Sequence, residues 1–377
     1  MAIAAEGSSD LFIDGKLTGG GAGRFATVNP ATEEVLGTAA NADAADMDRA
    51  IAAARRAFDG TDWARDTELR VRCIRQLREA MREHIEELRE ITMAEVGAPR
   101  MLTAAAQLQG PVEDLGFSAD TAESYPWRTD LGVAAPMGIK TQRTVVREAV
   151  GVVGAITPWN FPHQINLAKI GPALAAGNTV VLKPAPDTPW CAAILGELVV
   201  AHTDIPPGVL NIVTSDDHAV GAMLTSDPRV DMVSFTGSTA TGRAVMEAGA
   251  PTVKKVFLEL GGKSAFIVLD DADLASACAM AGFTASMHAG QGCAITTRLW
   301  CRGPAMTMPS PPRPPQCRVS SPVTPPSPER SVVPLFPRAS ATECSLIWIW
   351  RSPKAAVSRA AAVVRQTGTA ASSSSRR

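Results

Sequence analysis

"VGVVGAITPWNFPHQINLAKIGPALAAGNTVVLKP", residues 150–184, reads as strand, turn, helix, turn and strand in that order. "VGVVGAI" and "TVVLKP" are short apolar runs rich in β-branched residues, and "HQINLAKIGPALAAG" between them is long enough for about four helical turns. A crossover of that length is what two neighbouring parallel strands require, because a tight turn can only join antiparallel ones. The rhythm continues downstream. The runs "VLNIVT", "MVSFTG" and "KKVFLEL" alternate with the helical segments "PWCAAILGELVVAH" and "DHAVGAMLTS". Near-continuous apolar strands, each followed by a helix, predict an α/β fold with a doubly wound parallel sheet buried on both faces.

Upstream, "TELRVRCIRQLREAMREHIEELREI" places Leu69, Ile74, Leu77, Met81, Ile85, Leu88 and Ile91 at near-helical spacing, with Arg and Glu on the other side. The region reads as two amphipathic helices, with this stripe as core packing and the charged face solvated. Nearer the start, "LFIDGKL", "TGGGAGR" and "FATVNPATEEVLG" mix short apolar runs with turn signals. The glycines at 19–23 lack the spacing of a phosphate loop, broken at Arg24, and predict a flexible hairpin. Downstream, "SAFIVL" gives a sixth apolar run, followed by a helix from Asp273 to about His288.

The 377 residues allow two or three domains and carry a net charge of −2. That average hides a partition. Residues 301–377 hold 11 Lys+Arg against 2 Asp+Glu, leaving 25 against 36 for residues 1–300. An acidic body argues against nucleic acid as a partner, since such binding depends on basic residues displacing counterions. No run approaches the roughly 18 apolar residues of a membrane span, and "MAIAAEGSSD" lacks a cationic and apolar leader. The seven cysteines, at 73, 191, 278, 293, 301, 317 and 344, show neither zinc-site nor disulfide-scaffold spacing. The expectation is a cytoplasmic protein with no metal.

Five short motifs carry chemistry. "TPWNFP" places Asn160 between a strand and a helix, where open α/β sheets bind ligands; an amide there can donate to an oxyanion or simply form the turn. "LKPAPDTP" ends a strand on Lys183, a donor for ribose or phosphate, or a surface lysine. "FTGSTATG", residues 235–242, suits a phosphate at a helix N-terminus, with capping by Ser238 as the plainer use. "LELGGKS" sets Glu259 at a strand end, where a partly desolvated carboxylate acts as a base or pairs with a cation. "GQGCAI" puts Cys293 among small residues after a helix, open to act as a thiolate nucleophile.

In this order, with Glu259 lying 34 residues before Cys293, the set resembles the aldehyde dehydrogenase superfamily over residues 11–299. The resemblance implies a Rossmann-like cofactor domain over 1–260, with a β-hairpin oligomerisation arm near 127–150, and the start of a catalytic domain over 261–299. It implies oxidation of a small aldehyde to a carboxylic acid with NAD(P)+. Cys293 would form the thiohemiacetal and then the thioester, Asn160 would hold the oxyanion, Glu259 would activate water, and Lys169 matches the lysine of the proton relay. For NAD, the matching positions are Ile156, Thr157, Pro158, Trp159, Lys183, Pro186, Phe235, Gly237, Ser238, Thr239, Gly242, Leu260 and Gly261. Pro186 departs from the pattern. NAD-preferring members place a glutamate there, and without it NADP is not repelled. Assembly as a homo-oligomer follows from the family as well.

After Leu299 the pattern stops. Residues 301–377 carry 13 of the 28 prolines and no Asp, and of this stretch only "LIWIW" at 346–350 has packing character. The family's Glu-x-Phe-Gly-Pro segment and its final assembly strand are missing from it. The expectation is a disordered tail produced by a shifted reading frame. Trp300-Cys301-Arg302-Gly303-Pro304, read one base earlier, permits Leu-Val-Pro-Arg-Ala, a continuation the family would accept. The alternative to an active dehydrogenase is therefore a truncated, inactive remnant that keeps dinucleotide binding alone.

Overall fold

The computed structural model describes residues 9–302 and 347–351, the last five and residues 301–302 by backbone alone. Two compact units are present, one ending at Leu260 and the other beginning at Gly261.

The first unit opens with β1 (Leu11–Ile13), β2 (Lys16–Thr18), β3 (Arg24–Val28) and β4 (Val35–Ala40). A helical layer follows: α1 (Ala44–Gly60), α2 (Thr67–Glu83), α3 (Ile85–Val96), the single turn α4 (Arg100–Thr103) and α5 (Gln109–Ser124). β5 (Arg128–Ala134) and β6 (Thr141–Val146) form an antiparallel hairpin of their own. The alternating region is β7 (Val152–Ile156), α6 (Pro162–Ala175), β8 (Thr179–Lys183), α7 (Trp190–His202), β9 (Leu210–Ile212), α8 (His218–Ser226), β10 (Met232–Gly237), α9 (Thr239–Gly249) and β11 (Lys255–Leu260).

These strands form one sheet in the order β11-β10-β7-β8-β9-β1-β2. The first five are mutually parallel, with β7 in the middle and the chain winding outward on either side of it. Both faces are covered. Val180 and Leu182 enter the core shared with Leu77, Leu88, Leu167 and Leu195, whereas Val181 enters the one shared with Ile51, Leu224 and Val233. Burying one such side chain contributes roughly 1.5–3 kcal/mol, and the period of two along β8 is what feeds both cores.

The far edge differs from the sequence expectation. β1 joins β9 antiparallel and turns back into β2 through Asp14-Gly15, both left-handed at φ 53° and 76°, as a two-residue hairpin requires. The glycine stretch at 19–23 forms a tight turn closed by an antiparallel bridge, the Gly23 N–H donating to the Gly20 carbonyl at 3.0 Å, but the strands that flank it pair elsewhere, β2 with β1 and β3 with β4. A Cβ on Gly20 would lie 2.1 Å from the Asn41 carbonyl oxygen, so close backbone approach selects glycine there. The two amphipathic helices expected from the sequence are present as α2 and α3, which meet at His84.

The second unit has β12 (Ser264–Val268), α10 (Leu274–Ser286), β13 (Thr296–Arg302) and β14 (Ile347–Arg351). The three strands pair in parallel, around a small core of Val268, Ala281 and Leu299. Order thus continues three residues past Leu299, and the region of "LIWIW" supplies a strand. The rest of the expected tail, 303–346 and 352–377, lies outside the described residues.

Candidate active site

In the first unit, the carboxyl ends of the parallel strands stand level with one another. Ile156 is opposite both Phe235 and Lys183, Thr236 is opposite Glu259, and Gly237 is opposite Leu260. β7 is where the winding reverses, and open α/β sheets bind ligands at that point. Every first-unit residue singled out for chemistry is on this edge, in the turns leaving it, or on α6 and the first turn of α9.

The turn from β7 into α6 carries Thr157, Pro158, Trp159 and Asn160. It is pinned from two sides: the Thr157 hydroxyl donates to Asn166 Oδ1 at 2.7 Å, and Gln107 Nε2 donates to the Asn160 carbonyl at 2.8 Å. Gln107 and Asn166 are both fully buried. Neither was legible as part of a site, because nothing local in the sequence distinguishes them from packing residues.

Lys169 reaches from α6 across β10, where its Nζ donates to Ser234 Oγ at 2.8 Å and lies 5.9 Å from the centre of the Phe257 ring. Burial pulls the amine down to about 8, and the nearby Glu259 carboxylate opposes that shift without cancelling it. Lys169, Ser234, Phe257 and Glu259 therefore form one cluster on one face of the sheet. The unfolded chain holds the lysine proton between pH 8 and 10.5 where the folded chain has released it, so stability gains with pH across that window. Unfolding midpoints of the native chain relative to Lys169→Met should rise from about pH 8 to 10.5. A difference that stays flat would show the amine to be unperturbed.

Lys183, at the end of β8, is buried rather than a surface lysine, and its Nζ donates to the Ser215 carbonyl at 2.9 Å. Pro186 lies in the turn that follows, half-buried. Ser238 is the N-cap of α9: its Oγ accepts from the Thr241 N–H at 3.1 Å, while Thr239 begins the helix and Gly242 sits buried within it. The cap uses one of the four unpaired N–H groups of that terminus and leaves others, with the helix dipole, available to an anion. A buried ammonium, with protons to spare beyond its bond to Ser215, and a helix N-terminus fit the ribose and pyrophosphate of a dinucleotide. Among the described residues, no group of three His, Cys, Asp or Glu side chains could hold a metal ion.

Cys293 lies in the second unit, half-exposed, in the turn between α10 and β13. α10 stops at Ser286, two residues short of the expected end, because His288, Ala289 and Gly290 all adopt left-handed backbone at φ 51°, 54° and 78°. Gly261 is the first residue of this unit.

The aldehyde dehydrogenase family profile matches residues 18–306. The chain belongs to the aldehyde dehydrogenase family. It is 41% identical over 295 residues to a 3-succinoylsemialdehyde-pyridine dehydrogenase of a Pseudomonas species, a match covering 77% of this chain and 59% of that protein. A mutant of aldehyde dehydrogenase C from Pseudomonas syringae, solved with NAD+ and octanal, is 38% identical with a TM-score of 0.73, over 79% of this chain and 59% of that one. An NADP-dependent enzyme of E. coli matches at 36% identity and a TM-score of 0.72, over 78% of this chain and 60% of that one. The chain thus spans about three-fifths of the length of these relatives. Among the described residues no helix is long and apolar enough to cross a membrane.

Proposed function

We propose that this chain is an NAD(P)-dependent dehydrogenase that oxidises a small aldehyde to its carboxylic acid. The observation carrying this reading is the gathering, at the carboxyl edge of one parallel sheet, of the Asn160 turn, Lys183, the N-terminus of α9 and the Lys169–Glu259 cluster, in a chain of this family. Lys183 would hold the adenosine ribose, and the α9 N-terminus with Gly237, Ser238 and Gly242 the pyrophosphate. The nicotinamide, when bound, accepts the hydride.

The chain's own groups do the rest. The Cys293 thiolate forms a C–S bond to the aldehyde carbon, and the Asn160 amide donates to the resulting oxyanion. Loss of hydride from that carbon leaves a thioester on Cys293. Glu259 takes a proton from the water that cleaves the thioester, releasing the acid and the thiolate. Lys169, with an amine near 8, is the neighbouring group that would relay the proton away from Glu259. We place the protein in the cytoplasm, and assign the β5–β6 hairpin, which exposes Leu131, Val133, Met137 and Ile139, to homo-oligomer contacts. The change of composition after Leu299 we attribute to a shifted reading frame, which the gene's nucleotide sequence tests.

The deciding experiment follows NAD(P)H absorbance with aliphatic and aromatic aldehydes, alongside dinucleotide binding by calorimetry. Turnover with either cofactor supports the dehydrogenase. Binding without turnover supports the remnant that retains only its dinucleotide site. A chain that neither turns over nor binds a dinucleotide contradicts both.

A further inference from the structure

The position three residues beyond Lys183, where a carboxylate would exclude a ribose 2′-phosphate, is Pro186. The structure supplies carboxylates from elsewhere. The bond from Lys183 Nζ to the Ser215 carbonyl, 2.9 Å, ties the end of β8 to the segment after β9, and Ser215 is followed at once by Asp216 and Asp217. Both are held in place. Asp216 Oδ1 accepts from Asn41 Nδ2 at 2.8 Å while its N–H donates to Asn41 Oδ1 at 3.2 Å. Asp217 is the N-cap of α8, with Oδ1 accepting from the Ala219 N–H at 2.8 Å. A third, Asp187, stands on the turn four residues past Lys183. All three are exposed, and each favours the charged form of Lys183 against the burial that pulls its amine down to about 8. Among the described residues, no arginine or lysine forms an ion pair with Asp216 or Asp217.

We propose that Asp187, Asp216 and Asp217 take over the excluding role that the residue at Pro186 cannot perform, making the ribose end of the site selective for NAD+ over NADP+. The proposal rests on the dinucleotide-binding reading above. One ammonium beside Asp216 and Asp217 already leaves the neighbourhood with a net negative charge, and a ribose 2′-phosphate would bring about two more negative charges into it. Sites that accept that phosphate place an arginine beside it instead. The uncharged 2′-hydroxyl of NAD+ meets no such repulsion, and a carboxylate can accept its hydrogen bond.

The test is the ratio of dissociation constants for NADP+ and NAD+, measured by calorimetry on the whole chain at low ionic strength. The native ratio should be at least about ten. In Asp187→Asn/Asp216→Asn/Asp217→Asn it should fall to about two or three, through tighter NADP+ binding, with NAD+ affinity changed less than about threefold. Asparagine keeps the cap on α8 and the acceptor for Asn41, so the exchange alters charge and little else. A measurement on the native chain needs no variant at all: raising the salt to about 1 M, where the screening length is about 3 Å, should narrow the native ratio in the same way. Equal affinity for the two dinucleotides in the native chain would overturn the proposal. So would a ratio that neither the triple substitution nor salt alters. Absence of binding by both dinucleotides would instead remove the dinucleotide site itself, and the proposal with it.

Discussion

Cys293→Ala is expected to lower aldehyde-dependent NAD(P)H formation by at least about a thousandfold while leaving dinucleotide affinity within about a factor of two. In the proposed chemistry the Cys293 thiolate bonds to the aldehyde carbon, and alanine offers no electron pair in its place. Of the four described cysteines, burial argues against Cys73 and Cys191, and Cys278, half-exposed like Cys293, sits on α10 packed against the small core of the second unit. Cys73 and Cys191 are fully buried, and burial pushes the Cys73 thiol up to about 11. Cys191 is raised by its burial and also by the adjoining Glu95. Cys293 is half-exposed, on a turn separated by two residues from the left-handed run His288-Ala289-Gly290. Non-glycine residues in that conformation cost on the order of 1–3 kcal/mol each and persist where the surrounding structure holds them. Alkylation by iodoacetamide should therefore modify Cys293 far sooner than Cys73 or Cys191, and peptide mapping would show it. Unaltered turnover in Cys293→Ala would remove this residue from the chemistry altogether.

The parallel sheet was legible because β7, β8, β9 and β10 are each an apolar run followed by a helix, and β11, though it alternates with Lys255 and Glu259, closes the series in the same rhythm. The edge strands β1 and β2 were not, since three residues each give no period to read, and only the Asp14-Gly15 pair marks their turn. The motif residues fell where the strand ends predicted them, because the carboxyl end of a parallel strand is fixed by the last apolar residue before a turn. What the sequence hid is the support behind them. Gln107 precedes Asn160 by 53 residues, and Ser215 follows Lys183 by 32. Contacts of that separation exist only once the sheet has formed. The helix expected from Asp273 to about His288 is α10, ending at Ser286 and followed by a 3-10 turn to Gly290; the left-handed backbone at His288 and Ala289 within that turn was not legible, because neither residue type announces it.

Glu95→Ala is expected to destabilise the first unit by about 3–5 kcal/mol, read as a lower midpoint in urea or heat. Glu95 is fully buried near the end of α3 and serves as the missing cap of α7, whose own N-cap, Pro189, has no side chain to offer. Its Oε1 accepts from the Trp190 N–H at 2.9 Å and the Thr27 hydroxyl at 3.1 Å, and its Oε2 accepts from the Cys191 N–H at 2.8 Å. Both helix residues are buried, so alanine would strand these donors away from water and open a cavity beside them. Glu95→Gln, which keeps the volume and one acceptor, should cost less. Its value is in the pH dependence. Burial pushes the Glu95 carboxyl up to about 7 despite the three donors, so the folded chain holds a proton that the unfolded chain releases near 4.5. That contribution to stability is complete below about 4.5 and is lost as pH rises to 7. His163 works against it over much of the same range. It is fully buried, among the described residues neither ring nitrogen has a hydrogen-bond partner, and desolvation takes it down to about 4, so its neutral form stabilises the fold increasingly from 4 to 6.5. The native pH profile therefore mixes two opposed slopes. Subtracting the Glu95→Gln profile cancels the histidine and leaves the carboxyl, and that difference should fall between pH 4.5 and 7. A flat difference would mean that Glu95 is ionised throughout, with its three donors outweighing its burial.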